Sequence, residues 1–432
     1  MKEKGPLITY ATLVCLLSLP LAIQFAAATT GWDKTYGGRH YDIARSIVQT
    51  NDGGYALAGF TESYGAGESD FWLVKVDSSG NEMWNRTYGG TEDDDAYCVI
   101  QTSDGGYALS GYTKSYGSDE WSYWLVKVDS LGNMQWNKTY AGLEHGSFWN
   151  AQTSSVVQTD DGGYALAGFF PRSKYESDFC LVKVDSSGDM QWNRTYEGPV
   201  YTMVFLIRTS DGGYAMAGTC GIAGIGFWLV KVDSSGNVQW NNKYEGGSLY
   251  SAVQTSDDGY ILAGNYIGAQ DDVRLVKVDS SGNKMWNRTY GGSEDDSALC
   301  VVQTSDGGYA LAGYTKSYGA GETDSWLVKV DSSGDMQWNK TYGGTWSDSL
   351  NSVIQTLDGG YALAGETHSY SSFFPGVPDF WLIKTDETGI IPEFPSLFAI
   401  LLFLTLTILT VLVRKRKWRT LDSARGIYCF EI

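Results

Sequence analysis

Between residues 31 and 388 the chain alternates short apolar runs with clusters of Gly, Asp, Ser and Asn. In residues 298–342 the runs are "ALCVVQT" (A), "GYALAGYT" (B), "SWLVKVD" (C) and "MQWNKTY" (D). Each is short, rich in β-branched and aromatic residues and bounded by turn formers, so each reads as a β-strand. A joins B through "SDGG", and C joins D through "DSSGN" or close variants; both are tight hairpins in which glycine supplies positive φ. Within "YALAG", Tyr309 and Leu311 point to one face of the sheet and Ala310 and Ala312 to the other. One face is bulky and the other shallow, a pattern that lets neighbouring sheets nest.

The four-run unit recurs. Trp32, Trp84, Trp136, Trp192, Trp240, Trp286 and Trp338 mark run D at spacings of 52, 52, 56, 48, 46 and 52 along the chain. "DGGYALAG" and "LVKVD", with their variants, also occur seven times each. Four antiparallel strands about every 50 residues predict an all-β, seven-bladed β-propeller of four-stranded blades. The order of the runs adds a closure. The first D run (Trp32–Tyr36) has no A, B and C before it, and the last A, B and C have no D after them. The N-terminal strand therefore completes the last blade, which removes the open sheet edges.

The two ends read differently. Residues 1–28 carry Lys2 and Lys4, an apolar stretch from Leu7 to Phe25 and Ala26-Ala27-Ala28, the pattern of a secretory signal peptide. Residues 397–413 form an uncharged run followed by "RKRKWR". That run is long enough for a C-terminal transmembrane helix, with residues 414–432 as a basic cytoplasmic tail and residues 29–391 as an extracellular ectodomain. The whole chain has 31 Lys+Arg and 50 Asp+Glu, and residues 29–391 hold 23 against 46. So acidic a domain repels phosphate backbones, which excludes nucleic acid as a partner class. Cys98, Cys180, Cys220 and Cys300 do not form a disulfide framework and read as small core residues.

The strings "WNKTYGG", "DGGYALAGYT" and "LVKVDSSGN" resemble the repeats of archaeal and bacterial surface β-propellers, and the resemblance covers residues 31–388. It implies architecture and a cell-surface location more than an activity. "IPEFPS", from Ile391 to Ser396, with the apolar run and basic cluster after it, resembles the PEF-type sorting tail of archaeal proteins. Pro392, Glu393 and Phe394 match that motif. The resemblance implies processing by an archaeosortase-like protease and attachment to the membrane through lipid. The stretch after the basic cluster, Thr420 to Ile432, departs from its usual end.

Connection lengths then point to one face. Counted from the A-strand Gln or Arg to the second hairpin Gly, the A–B connection is always 5; from the C-strand Asp to the next Trp, the C–D connection is always 7. In the same count the D–A connections, from Tyr to Gln or Arg, run 13, 13, 18, 12, 10, 13 and 13. The B–C connections, from the Gly of "AG" to the Trp position of strand C, run 13, 13, 12, 10, 10, 13 and 16. All variation lies on one face, where repeat folds commonly bind, although drift in unimportant loops leaves the same trace. On that face "HGSFWNA" presents Phe148 and Trp149, "GFFPRSKYES" presents Phe170, Arg172 and Tyr175, and the next unit brings Tyr201, Ile222 and Ile225. Clustered aromatics suit sugar stacking or a protein contact; turned inward, they would cover an irregular blade.

Asn85, Asn137, Asn193, Asn287 and Asn339 each head an N-x-T sequon in strand D, a candidate array of glycosylation sites around the rim. The recurring Lys and Asp of "LVKVD" read as structural, since an active site needs one place rather than seven. No cofactor is called for, and calcium in the acidic loops lacks an EF-hand spacing. "DSSGNxxW" resembles, with a one-residue offset, the structural hairpins of sialidases and quinoprotein dehydrogenases. His40, His145 and His368 show no metal-ligand spacing, and no nucleophile motif stands out. The sequence thus favours a non-enzymatic binding module for glycan or protein. A purely structural envelope glycoprotein is the alternative, and a propeller hydrolase or quinoprotein-like enzyme ranks behind both.

Overall fold

The computed structural model describes residues 31–117, 122–140, 153–173, 176–198, 204–221, 226–266, 271–371, 373 and 376–391, with the side chains of 153, 154, 169–173, 176 and 177 excepted. The alternation of large and small residues in strand B organises everything else. In blade 1 the strands are Asp42–Gln49 (A), Tyr55–Thr61 (B), Asp70–Val76 (C) and Glu82–Tyr88 (D). They pair antiparallel in that order, and six further four-stranded sheets repeat the arrangement. The A strands neighbour one another around the ring, and the D strands form the outer edges.

Adjacent blades nest as the sequence predicts. At the seam, Tyr55, Leu57, Trp72 and Val74 of blade 1 pack on Ala362, Ala364, Phe380 and Leu382 of blade 7. Between blades 5 and 6, Tyr309, Leu311, Trp326 and Val328 pack on Ile261, Ala263 and Leu275. Burying such side chains stabilises by about 1.5–3 kcal/mol each, and this interblade packing is the core of the molecule.

Circular closure is present. The last blade is ordered D-C-B-A from Trp32–Tyr36, Asp379–Thr385, Tyr361–Thr367 and Asp348–Gln355. Trp32 lies opposite Lys384 and Tyr36 opposite Phe380. One hydrogen bond then repeats around all seven junctions. The D-strand Tyr hydroxyl donates to a Gly carbonyl in the C–D hairpin of the next blade, from Tyr36 to Gly80 at 2.6 Å and on to Tyr342 and Gly389 at 2.7 Å. Burial raises the Tyr36 and Tyr342 hydroxyls well above the usual tyrosine range, so both remain donors.

The signal peptide, the sorting residues Pro392, Glu393 and Phe394, the apolar run and the basic tail lie outside the described residues. Among the described residues no helix is long and apolar enough to cross a membrane. The four cysteines are free, with Cys180 and Cys220 buried in the core.

Candidate functional site

The two faces of the ring are built by different chemistry. On the hairpin face each "LVKVD" Lys is buried and reaches the Asp of the "SDGG" turn, not the Asp beside it. Lys75 Nζ lies 2.9 Å from Asp52, and the same pair recurs in all seven blades, as far as Lys384 and Asp358. The turn Asp also accepts from the Thr that opens the turn and from the second Gly amide, as at Asp161 with Thr159 and Gly163. The Lys183 and Thr159 hydrogen bonds hold Asp161 down to about 2. The neighbouring Asp of "LVKVD" caps its own hairpin, Asp77 accepting from the amides of Ser79 and Asn81. The recurring Lys and Asp are therefore structural.

The loop face carries buried carboxylates instead. Where the D–A connection keeps its commonest length, the first residue of strand A is a buried Asp: Asp42, Asp94, Asp296 or Asp348. It meets an Asp at the start of strand C in the preceding blade. A side-chain carbon added at Gly89 would sit 1.8 Å from Asp70 Oδ1 and 2.8 Å from Asp94 Oδ2, so only glycine fits between the two carboxyls. Gly343 sits in the same way between Asp324 and Asp348. Each A-strand Asp is secured by one Ser hydroxyl and one Gly amide, as Asp348 is by Ser369 (2.7 Å) and Gly344 (3.0 Å). Burial lifts Asp42, Asp70 and Asp272 above the ordinary carboxylate range, and the facing Asp adds to each shift.

Against this repeating background one place breaks symmetry. Strand A carries a β-bulge near its start in blades 1, 2, 3, 5, 6 and 7. The bulge frees one residue per blade from the pleat: Arg45, Tyr97, Tyr250, Leu299 and Asn351 among them. At the inner end of blades 6 and 7 on the loop face, a cavity of about 360 Å³ is lined by Leu299, Tyr314, Lys316, Asn351, Glu366 and His368, among others. Glu366 and His368 alternate at the end of strand B of blade 7 and so share a face, as Tyr314 and Lys316 do in blade 6. Burial pushes the Glu366 carboxyl above its usual range, against the pull of His368 and Arg45. Its Oε2 is buried without a hydrogen-bond partner among the described residues.

Two cations lie near the cavity and make contacts of their own. Lys316 pairs with Asp295 at 3.1 Å. The Arg45 guanidinium lies over Tyr97, 4.6 Å from the ring centre, and 3.9 Å from Asp95. His368 Nδ1 is 3.0 Å from the Gly376 carbonyl, which requires the proton on Nδ1 and leaves Nε2 as an acceptor in the neutral ring. A second, larger hollow on the hairpin face is lined by Gln303, Gln355 and turn residues. Gln355 and its counterparts cap the preceding blade's A–B turn, Ser305 N donating to Gln355 Oε1 at 2.7 Å, so that hollow is repeat architecture.

Sequence reading pointed to other residues. Phe148, Trp149, Tyr175, Tyr201, Ile222 and Ile225 lie outside the described residues. Phe170 and Arg172 fall within strand B of blade 3, Tyr164–Ser173, with Phe170 opposite Asp178 in strand C. The stretch read as a loop is thus largely an extended hairpin, because its aromatic residues continue the strand pattern past the usual end. The five sequon asparagines sit on outer D strands and are partly or fully exposed. Three of them have a second role that the sequon alone does not reveal. The buried indoles of Trp72, Trp124 and Trp326 donate to Oδ1 of Asn85, Asn137 and Asn339 at 3.4, 3.2 and 3.3 Å. In the closing blade Trp381 donates to Asp33 instead. Among the described residues no cluster of three or more His, Cys, Asp or Glu is placed to hold a metal ion.

No family model and no curated protein matches the chain. Among solved structures it is similar to one described as RRP9 WD40 repeats, at 11% identity over 82% of this chain and 97% of that chain, with a TM-score of 0.52. It is also similar to one described as U3-55K, at 9% identity over 82% and 98%, with a TM-score of 0.53. At such identities the likeness shows the propeller fold alone.

Proposed function

We propose that the protein is a non-enzymatic, surface-anchored propeller that binds a glycan or protein partner through its loop face, with the cavity between blades 6 and 7 as the contact point. The observation that carries this reading is the break in symmetry. Six strand-B positions equivalent to Glu366 hold aromatic, Thr or Asn side chains, and only blade 7 places a carboxylate there. A buried acceptor without a donor costs about 1–3 kcal/mol unless something supplies one. The apolar run 397–413, or lipid added after processing at Pro392-Glu393-Phe394 by an archaeosortase-like protease, would hold the protein at the outer surface of the cell.

The reading is tested with full-length protein in detergent. Glycan arrays and cross-linking capture on whole cells are run with wild type and Leu299→Trp. Tyr97 and Tyr250 occupy the same bulge position, so the larger ring is tolerated there while it fills the cavity. The binding reading requires Leu299→Trp to lose the captured partner, and unchanged capture rejects the cavity as the contact.

A structural envelope glycoprotein is the second reading, favoured by the sequon geometry. The indole bonds occupy Oδ1 of Asn85, Asn137 and Asn339, and Nδ2, the atom glycosylation modifies, meets exposed strand-D side chains, Glu82, Met134 and Met336 in turn. Mass spectrometry of the native protein should find a glycan on at least one of the five sequons, and unmodified asparagine at all five removes this reading.

A further inference from the structure

The chemistry of the cavity narrows its occupant, on the premise that the cavity is a binding site. Glu366 brings a buried oxygen with no donor among the described residues. Of the nearby cations, Lys316 pairs with Asp295, while Arg45 lies over the rings of Tyr97 and Phe60 and 3.9 Å from Asp95; its Nε has no hydrogen-bond partner among the described residues, and its charge acts on Glu366 without a direct hydrogen bond to it. His368 offers an acceptor at Nε2 because its Nδ1 donates to Gly376. Asp348, at the cavity wall, adds negative charge. The remaining wall is apolar and aromatic, from Leu299 and Tyr314. Acceptors and negative charge beside an aromatic face match a cation that carries its own donors. A phosphate, a sulfate or a carboxylate would meet repulsion there.

We propose that the cavity receives a single cationic side chain, lysine or arginine, from a protein partner, with Glu366 as its counter-ion and Tyr314 as its aromatic wall. The acidity of the whole chain, at a net charge of −19, favours the approach of a basic partner and adds to the same preference. The specific contribution resides in one carboxylate and is separable from that general field.

The experiment uses full-length protein in detergent micelles at physiological salt. The probes are fluorescent neutral Gly-Ser peptides carrying one central Arg or Lys, compared with the same peptides carrying citrulline or norleucine. Anisotropy should show the Arg or Lys peptide binding at least tenfold more tightly than its neutral counterpart, and Glu366→Gln should abolish that difference. Affinity of the wild type should rise from pH 5 to pH 7.5, because Glu366 must ionise to pair. The groups facing Glu366 are Asp348 and His368 of blade 7, Arg45 of blade 1, and Tyr314 and Lys316 of blade 6. Loss of the pH dependence in Glu366→Gln assigns it to the carboxylate rather than to these neighbours. Thermal melting verifies that the variant is folded. Equal binding of charged and neutral peptides, or Glu366→Gln binding like wild type, overturns the proposal. If the cationic peptides fail while Leu299→Trp still abolishes partner capture, the ligand class is wrong and the binding site stands. If Leu299→Trp leaves capture intact, the binding reading itself is at fault.

Discussion

The hairpin face and the loop face of the ring hold their charges in opposite ways. On the hairpin face seven turn aspartates stay ionised against seven buried lysines. On the loop face aspartates face one another across glycines, and burial raises Asp42, Asp70 and Asp272 among them. The first arrangement rests on an A–B turn of fixed length, which presents its Asp to the strand-C Lys at the same place in every blade whatever the length of the B–C connection. The second is kept only where the D–A connection matches that of Tyr36 to Gln49, and it is dropped around blades 3 to 5. Invariant geometry and free variation thus occupy opposite faces of the same blade. A partner surface can change on one without disturbing the other.

The most damaging way to break this comparison is to injure both faces together. Removing Trp32–Tyr36 would leave the C strand Asp379–Thr385 without its edge partner and strip the Tyr36–Gly80 latch. We expect the melting temperature to fall by roughly 10 °C or more, read by circular dichroism. A next, one-sided lesion is Lys384→Met. It removes a buried cation from the hairpin face and should cost about 1–2 kcal/mol in urea unfolding, because Asp358 is half-exposed and can be resolvated. An undiminished stability would mean the ion pair contributes nothing.

The faces should also separate by pH. Hairpin aspartates such as Asp161, held at about 2, contribute stability that is present above the ordinary value of 3.8 and is lost as pH falls toward 2. Asp42, Asp70, Asp95 and Asp272 are raised. Their contribution is complete below the ordinary value and is lost as pH climbs through their raised values. Melting temperature should therefore peak in mild acid. Asp42→Asn should raise it by about 1–3 °C at pH 7.5 and leave it nearly unchanged at pH 4.5. A flat profile in wild type would contradict the contrast between the faces. The smallest effect concerns blade 5, where Asp258 takes a turn position that glycine fills elsewhere, at φ 61°. Asp258→Gly should relieve roughly 1 kcal/mol of backbone strain, partly offset by loss of the Ser210 hydrogen bond, and leave the loop face untouched.

Much of the fold was legible because every blade repeats its strand pattern and its turns. The offset between Trp32–Tyr36 and the last A, B and C strands revealed the closure. The ion pairs were hidden, since Asp52 lies in the A–B turn and Lys75 on strand C, 23 residues further along, and neither motif marks the other as its partner. The candidate site is inconspicuous in the sequence, because the clustered aromatics of the irregular connections are the louder signal. Its signal was present all the same. Aligning the residue after "AG" in each unit isolates Glu366 as the one acidic side chain in a column of aromatic and neutral residues. In a repeat fold the informative residue is the one that departs from its column inside a regular blade.

The seam between Trp32 and Lys384 has one more consequence. Eight residues separate Lys75 from Trp84 across an unbroken hairpin, and joining Ile391 to Gly31 would place eight between Lys384 and Trp32. The hairpin hydrogen bond from Asp386 N to Ile390 O, at 2.9 Å, already matches that from Asp77 N to Asn81 O. The ring can therefore be sealed into an endless polypeptide without a linker and cut open at another junction. Circular permutants opened at the D–A connections after Tyr88, Tyr290 or Tyr342 should fold to the same wheel.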